Sequence, residues 1–309
     1  MNRTVHVLAI LFALLAHFSV RAGTLVYFNM FCPGAAVAFN EVDVELYNQD
    51  KPVTSANFVK LIQAGAYQNG FFHRLEPGFV LQGGGFFSAN EYATAQIYPL
   101  LPLYPYSYLG TNANFGTITN EYGVGHFYSN TNWTISMAKS ADPNSASSQF
   151  FFNIANNALQ LDNTNNAGGF TVFGHTVRGT NVLNYFNGLS YGNGIVNLED
   201  TYGANGYAPV FTELPTLLAG FNAPPYDWLI YYNIGVLSEQ ISMTNNGARQ
   251  ITWNAINGVT NNVEFSTNLP PNWQVLYSIV PTNATGTSIS YTDTSVKKNS
   301  GYYRIHVLF

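Results

Sequence analysis

The chain has 309 residues, of which 47% are hydrophobic, 16% aromatic and only 9% charged. That apolar content excludes wholesale disorder, and the length suggests two domains or one large β domain with an appendage. A formal net charge of -5 without any run of Lys or Arg argues against a nucleic-acid surface, which needs clustered cations to displace phosphate counterions, and one cysteine, Cys32, excludes an internal disulfide framework or a cysteine-based zinc site.

In chain order, Arg3, an apolar run from Val5 to Leu15, and Val20-Arg21-Ala22 have the layout of a secretory signal peptide cut after Ala22. The run is interrupted by His6 and His17 and is shorter than the roughly 20 residues that span a bilayer. No later segment is long and apolar enough for a membrane span. Residues 1–22 are therefore read as a signal, and the mature chain as soluble and exported, whether to a periplasm, a cell surface or the outside.

From Thr24 the pattern is strand-like: LVYFNMF, a Pro33-Gly34 turn, then VAFNEVDVELY, where Val42, Val44 and Leu46 alternate with polar residues as in a half-buried antiparallel pair. Two segments break this rhythm. Pro52 opens a predicted helix with Phe58, Leu61 and Ile62 on one stripe, Thr54 or Ser55 as cap and Gly65 at its end. A second helix is predicted between Gly179 and Gly188, with Val182, Leu183 and Phe186 on one face. Residues 87–133, rich in Tyr, Asn and Pro, are read as a long surface loop whose prolines 99, 102 and 105 exclude a central strand. The burial of Tyr104, Tyr106 and Tyr108 would decide between self-packing and a partner surface. After about residue 238 the composition changes, and residues 239–309 read as five or six short strands split by Asn-Gly, Pro-Pro and Asn-Ser-Gly turns, a small β-sandwich by strand spacing. Cys32 is expected to be a buried free thiol.

Three strings carry chemistry: FFHRLEPGFVLQGGGF at 71–86, SMAKSADPNSASSQFFFNIANN at 136–157 and FTVFGHTVRGTNVL at 170–183. Together, over about 24–237, they strongly resemble the cyclophilins, the peptidyl-prolyl cis-trans isomerases. The wording of Ile118-Thr119-Asn120-Glu121 and of residues 138–146 resembles the bacterial branch. The resemblance implies an all-β fold with two short helices: a closed eight-stranded antiparallel barrel capped by the helices over 23–238, followed by the small β-sandwich. The NWQ segment, the YTDT strand and the closing YYR strand give that tail a weaker resemblance to fibronectin-III-like modules, which implies attachment or spacing.

The same residues answer a chemical need. Rotation about an X-Pro bond faces a barrier of roughly 18 to 20 kcal/mol, because amide resonance is lost in the twisted state. No bond is made or broken, so a catalyst must hold the proline ring, fix the flanking backbone and bind the twisted amide better than the planar one. Arg74 is the expected donor: its guanidinium can bond a substrate carbonyl and reach the prolyl nitrogen as the lone pair localises. The resemblance implies catalytic roles for Arg74, Phe79 and Gln82. It implies substrate contacts from His73, Val80, Ala138, Lys139, Phe151, Leu161 and Phe170. His73 beside Arg74 needs no part as a base and reads as structural, since rotation abstracts no proton. His126 and His175 lack metal-ligand spacing, and the QGGG run at 82–85 lacks the Lys and context of a phosphate loop. No metal and no cofactor is expected.

Departures from the family pattern stand at Gln160, where an aromatic usually precedes Leu161-Asp162, and at Phe170, where His or Tyr is usual. Gly85 replaces a frequent Asp, and the 87–133 loop is long. The expected partners are flexible proline-containing polypeptides, with weak binding of cyclosporin-type inhibitors, and the expected state is a monomer. A non-catalytic proline-peptide-binding or cell-surface assembly module is the competing reading. A sugar-binding tail, motivated by Trp253 and Trp273, is a third.

Overall fold

A computed structural model describes residues 23–35, 39, 41–88, 104–105, 116–198, 211–219, 225–237, 239–243, 248–267, 272–283, 285–294 and 301–308. The segment read as a signal peptide and most of the 87–115 stretch, including the side chains of Tyr104, Tyr106 and Tyr108, lie outside the described residues. In chain order the first part holds β1 (Leu25–Phe31), β2 (Val42–Leu46), α1 (Pro52–Gln63), β3 (Gly70–Phe71), β4 (Arg74–Glu76), β5 (Val80–Gly83), β6 (Phe86–Phe87) and β7 (Tyr104–Pro105). It continues with β8 (Thr134–Met137), β9 (Phe150–Asn153), α2 (Ala158–Leu161), β10 (Val172–Arg178), α3 (Thr180–Tyr185), β11 (Ser190–Tyr191), β12 (Asn193–Val196), β13 (Leu214–Ala219) and β14 (Tyr231–Val236).

The order β4-β5-β9-β8-β10-β2-β1-β14-β3-β6-β7 forms one antiparallel sheet of eleven strands. Leu75 and Leu81 near one edge share a single core with Val26, Val44, Phe152 and Ile234 from across the ladder, so the sheet curls around that core. β4 and β7 are the outer strands of that pairing order, but β3 runs into β4 across Phe72 and His73, whose N–H groups donate to the Ile230 carbonyl at 3.0 Å and the Gln82 carbonyl at 3.1 Å. The 70–76 segment is thus bordered by β14 on one side and β5 on the other, and β6 and β7 continue outward from β3. Pro105 stands in β7, an outer strand, where its missing N–H costs no interior ladder bond.

Alternation sets the faces. Val26, Phe28 and Met30 of β1 and Val42, Val44 and Leu46 of β2 are buried in the core. Asp43 is buried as well, because Arg178 lies on it with Nε 2.6 Å from Oδ2, while the same guanidinium pairs with Glu41. Burial, and then the Glu41 charge, push the Asp43 carboxyl well above the usual carboxylate range against the pull of Arg178.

Helix α1 begins with Pro52 in its first turn, where a missing N–H costs nothing. Its cap differs from the expectation: neither Thr54 nor Ser55 caps it from the side chain. Instead the Glu121 carboxylate, distant in sequence, accepts from Val53 N–H at 3.0 Å and Thr54 N–H at 2.7 Å. The second predicted helix is α3 followed by a 3-10 turn at Phe186–Gly188. A third, α2, is a single turn that the sequence reading did not separate from its surroundings. Cys32 is buried, its thiol pushed up to about 12 chiefly by desolvation.

The remaining strands are β15 (Glu239–Met243), β16 (Arg249–Asn254), β17 (Thr260–Ser266), β18 (Gln274–Ile279), β19 (Ser288–Asp293) and β20 (Tyr302–Leu308). They form two three-stranded antiparallel sheets, β15-β16-β19 and β18-β17-β20. Both contribute to one cluster around Ile251, Trp253 and Val263. Trp253 is 2% exposed and its indole N–H donates to Asn261 Oδ1 at 3.2 Å, so its face is not open to a sugar ring. Trp273 lies under the Arg304 guanidinium at 4.4 Å.

Candidate active site

Strand alternation divides the aromatics of β9. Phe150 and Phe152 enter the main core, while Phe151 turns to the opposite face. There it joins Val80 from β5 and Leu161 from α2 in a small buried cluster, with Phe79, Ala138 and Phe170 packed against it. Phe151 and Phe170 meet edge to face at 6.0 Å. These six residues form the apolar part of a cavity of about 530 Å³, whose polar part includes Arg74, Gln82, Lys139 and Gln149.

Arg74 and Gln82 are direct partners across β4 and β5, which puts both side chains on the cavity face. Gln82 Nε2 donates to Gln149 Oε1 at 2.8 Å. The Arg74 guanidinium carbon stands 6.0 Å from the Phe79 ring centroid. Its Nη2 pairs with Glu76 at 2.5 Å and its Nε with Glu213 at 2.6 Å. Nη1 makes no hydrogen bond among the described residues, so one arm of the fork is left unengaged beside the cavity that Arg74 lines.

At another side of the cavity, Lys139 Nζ lies 4.2 Å from the centroid of the Phe170 ring and donates to the Ala167 carbonyl. Burial lowers its pKa, partly offset by Asp142. The Ala138 N–H donates to the Gln149 carbonyl at 2.9 Å and is therefore engaged before any substrate arrives. His73 does not line the cavity. It is buried behind the wall against Phe86, at 4.9 Å between rings, and desolvation followed by the Arg74 charge pushes it down to about 3. A neutral imidazole in that place packs behind the wall and does not face the cavity. Leu159 is 86% exposed and Gln160 is exposed too, and neither lines the cavity.

A polar frame holds the apolar slot from behind. Asn157 Nδ2 donates to the Phe79 carbonyl at 2.8 Å, and Asn130 Nδ2 to the Phe170 carbonyl at 3.0 Å. Asn153 and Ser136 tie these two asparagines together, and Asp162 accepts from the backbone and side chain of Asn130. The glycine run packs tightly: Gly84 has φ +78° and no space for a Cβ beside the Ser148 carbonyl. Sequence reasoning missed Gln149, Glu76 and Glu213. Gln149 sits one residue before the Phe150 strand and had a readable position; Glu213 carried no local signal. Among the described residues no cluster of three or more metal-ligating side chains occurs.

The chain is similar to known proteins. It is 35% identical over 144 residues to a peptidyl-prolyl cis-trans isomerase of Acinetobacter baylyi, covering 46% of this chain and 64% of that one. It is 36% identical over 141 residues to peptidyl-prolyl cis-trans isomerase A of Dickeya dadantii, covering 46% and 63%. The match thus spans less than two thirds of either relative. With peptidyl-prolyl cis-trans isomerase B of Escherichia coli the identity is 29% over 154 residues, covering 49% of this chain and 81% of that one. Among solved structures, a cyclophilin-type isomerase of Cryptosporidium parvum in the presence of the dipeptide Ala-Pro aligns with a TM-score of 0.41 and 19% identity, over 69% of this chain and 99% of that one. The sequence pattern of the cyclophilin type peptidyl-prolyl cis-trans isomerases matches residues 36–201, which include Arg74, Gln82 and the whole apolar slot, and by that match the chain belongs to the cyclophilin family.

Proposed function

We propose that this chain is a peptidyl-prolyl cis-trans isomerase acting on flexible proline-containing polypeptides. The observation that carries the reading is the open arm of the Arg74 guanidinium beside a slot built from Phe79, Val80, Phe151, Leu161 and Phe170. The slot takes the proline ring. In the planar imide the nitrogen lone pair is delocalised into the carbonyl and accepts no hydrogen bond; in the twisted state it is localised and does. A donor fixed at that place binds the twisted state more tightly than the planar one, which is what lowers the barrier. Gln82, held by Gln149, offers amide hydrogen bonds to the neighbouring peptide. No side chain gives up or takes a proton, so a buried neutral His73 has no chemical step.

The test is a coupled proline-isomerisation assay on the full chain and on its Arg74→Ala variant. A rate enhancement that the variant loses supports the reading. Equal rates would favour the competing one, a non-catalytic proline-peptide-binding or surface-assembly module, which draws its support from the two carboxylates that already engage Arg74.

The same proposal includes export after cleavage at Ala22, a monomeric state, and a fibronectin-III-like role for the two C-terminal sheets as a spacer or attachment module. It also includes weak cyclosporin binding, because Leu159 and Gln160 point away from the cavity wall where the family has an aromatic. Tight inhibition by cyclosporin would overturn that part.

A further inference from the structure

We propose that Glu213 is a positioning residue for Arg74, an inference that rests on the isomerase reading. Glu213 lies beyond the residues 36–201 that match the family, so the matched pattern does not itself contain this contact with the arginine. The segment around Glu213 is anchored. Phe211 and Leu214 are buried in a second cluster with Phe71 and Tyr231, and the Glu213 carbonyl accepts from the Leu75 N–H at 2.7 Å. The backbone of Glu213 is thereby docked on β4 beside Arg74, and its carboxylate reaches Nε at 2.6 Å.

Glu76, the second carboxylate, projects from β4 itself and is the more exposed partner, 46% against 24% for Glu213. An exposed pair holds a long side chain weakly; a carboxylate on a docked backbone holds it better. With Nε and Nη2 engaged, the plane of the guanidinium is fixed and Nη1 is the arm left for the twisted imide. Two carboxylates also offset the positive charge. Direction matters more than net charge here, because the acceptor that appears in the transition state is a neutral nitrogen lone pair whose bond depends on where the N–H points.

Loss of the clamp should therefore slow the rotation step and leave substrate binding nearly unchanged, since the slot itself is untouched. The experiment measures kcat and KM separately for the full chain carrying Glu213→Ala, Glu213→Asp or Glu213→Gln, with thermal unfolding as a folding check. Glu213→Ala is expected to lower kcat about tenfold at constant KM, the scale of a misplaced catalytic group. Glu213→Asp keeps the charge but withdraws the carboxylate by a methylene and should also lower kcat. Glu213→Gln keeps an acceptor oxygen at full reach and should retain most of it. If Glu213→Ala does not fold, the Asp and Gln pair decides. Unchanged or raised kcat in Glu213→Ala or Glu213→Asp, or a loss in KM alone, overturns the proposal. A wild-type chain without any activity would instead refute the isomerase reading, so the two failures are distinguishable.

Discussion

Asn157 carries Phe79 on its side-chain amide: Nδ2 donates to the Phe79 carbonyl at 2.8 Å and also to Asn153 Oδ1 at 2.8 Å. A slot residue on a turn is thus tied to a buried side chain from the approach to α2. Asn157→Ala would leave Asn153 Oδ1 short of a partner in the interior, a deficit of about 1 to 3 kcal/mol. Urea unfolding should show that loss of stability. Because the freed turn also carries one wall of the slot, KM for a proline peptide should rise while the Arg74-dependent rate step is retained. A variant with wild-type stability and KM would refute this role of the frame.

Arg74→Lys tests fork against charge. Lysine keeps the positive charge but presents one compact ammonium in place of a planar guanidinium with fixed N–H directions. Both Glu76 and Glu213 would draw that ammonium to themselves, leaving no arm for substrate. The expected kcat/KM of Arg74→Lys is close to that of Arg74→Ala. A lysine variant near wild type would show that charge alone suffices.

Much of the slot was legible in the sequence because Phe79, Val80, Phe151 and Phe170 sit in the three quoted strings, and strand alternation puts Val80 and Phe151 on one face once β5 and β9 pair. Helix α1 was legible from its apolar stripe. Its cap was not, since Glu121 approaches from another part of the chain and a local pattern contains no such partner. The same applies to Glu213 on Arg74. The place of β14, Tyr231–Val236, was not legible for a related reason: it finds β1 and β3 as neighbours, a pairing set by tertiary packing and not by any turn. His73 was readable as structural by its chemistry, yet its place behind the wall depends on Phe86 across the bend at Gly84 and Gly85.

Glu121→Ala removes the remote cap of α1. Two N–H groups, of Val53 and Thr54, lose their acceptor at the positive end of the helix. Capping losses of this kind cost about 0.5 to 2 kcal/mol, and the cost should lie toward the upper part because Thr54 and Glu121 are both buried. Chemical denaturation would show it. Glu121→Gln, which keeps one acceptor oxygen, should recover part of the loss, and equal effects of the two variants would argue against capping as the cause.

The buried His73 makes a prediction about acid. Its folded-state pKa is pushed down to about 3, below the roughly 6.5 of a solvated imidazole. Above pH 6.5 the group is neutral whether folded or not, and its contribution to stability is fully present. As pH falls below 6.5 the unfolded chain takes up a proton that the folded chain refuses. Stability is then lost, by at most about 1.4 kcal/mol per pH unit for this one group, until the pH passes the folded value. The difference between wild type and a His73 variant isolates this group, since Asp43, whose buried carboxyl is pushed above the usual range, titrates alike in both. His73→Gln keeps a polar atom for Gln149 and cannot titrate. Unfolding free energies of wild type and variant, measured at several pH values in that window, should converge toward acid, with wild type losing stability faster. Parallel curves would mean that the imidazole is solvated and charged in the folded protein, and the wall of the slot would then be open where it is described as closed.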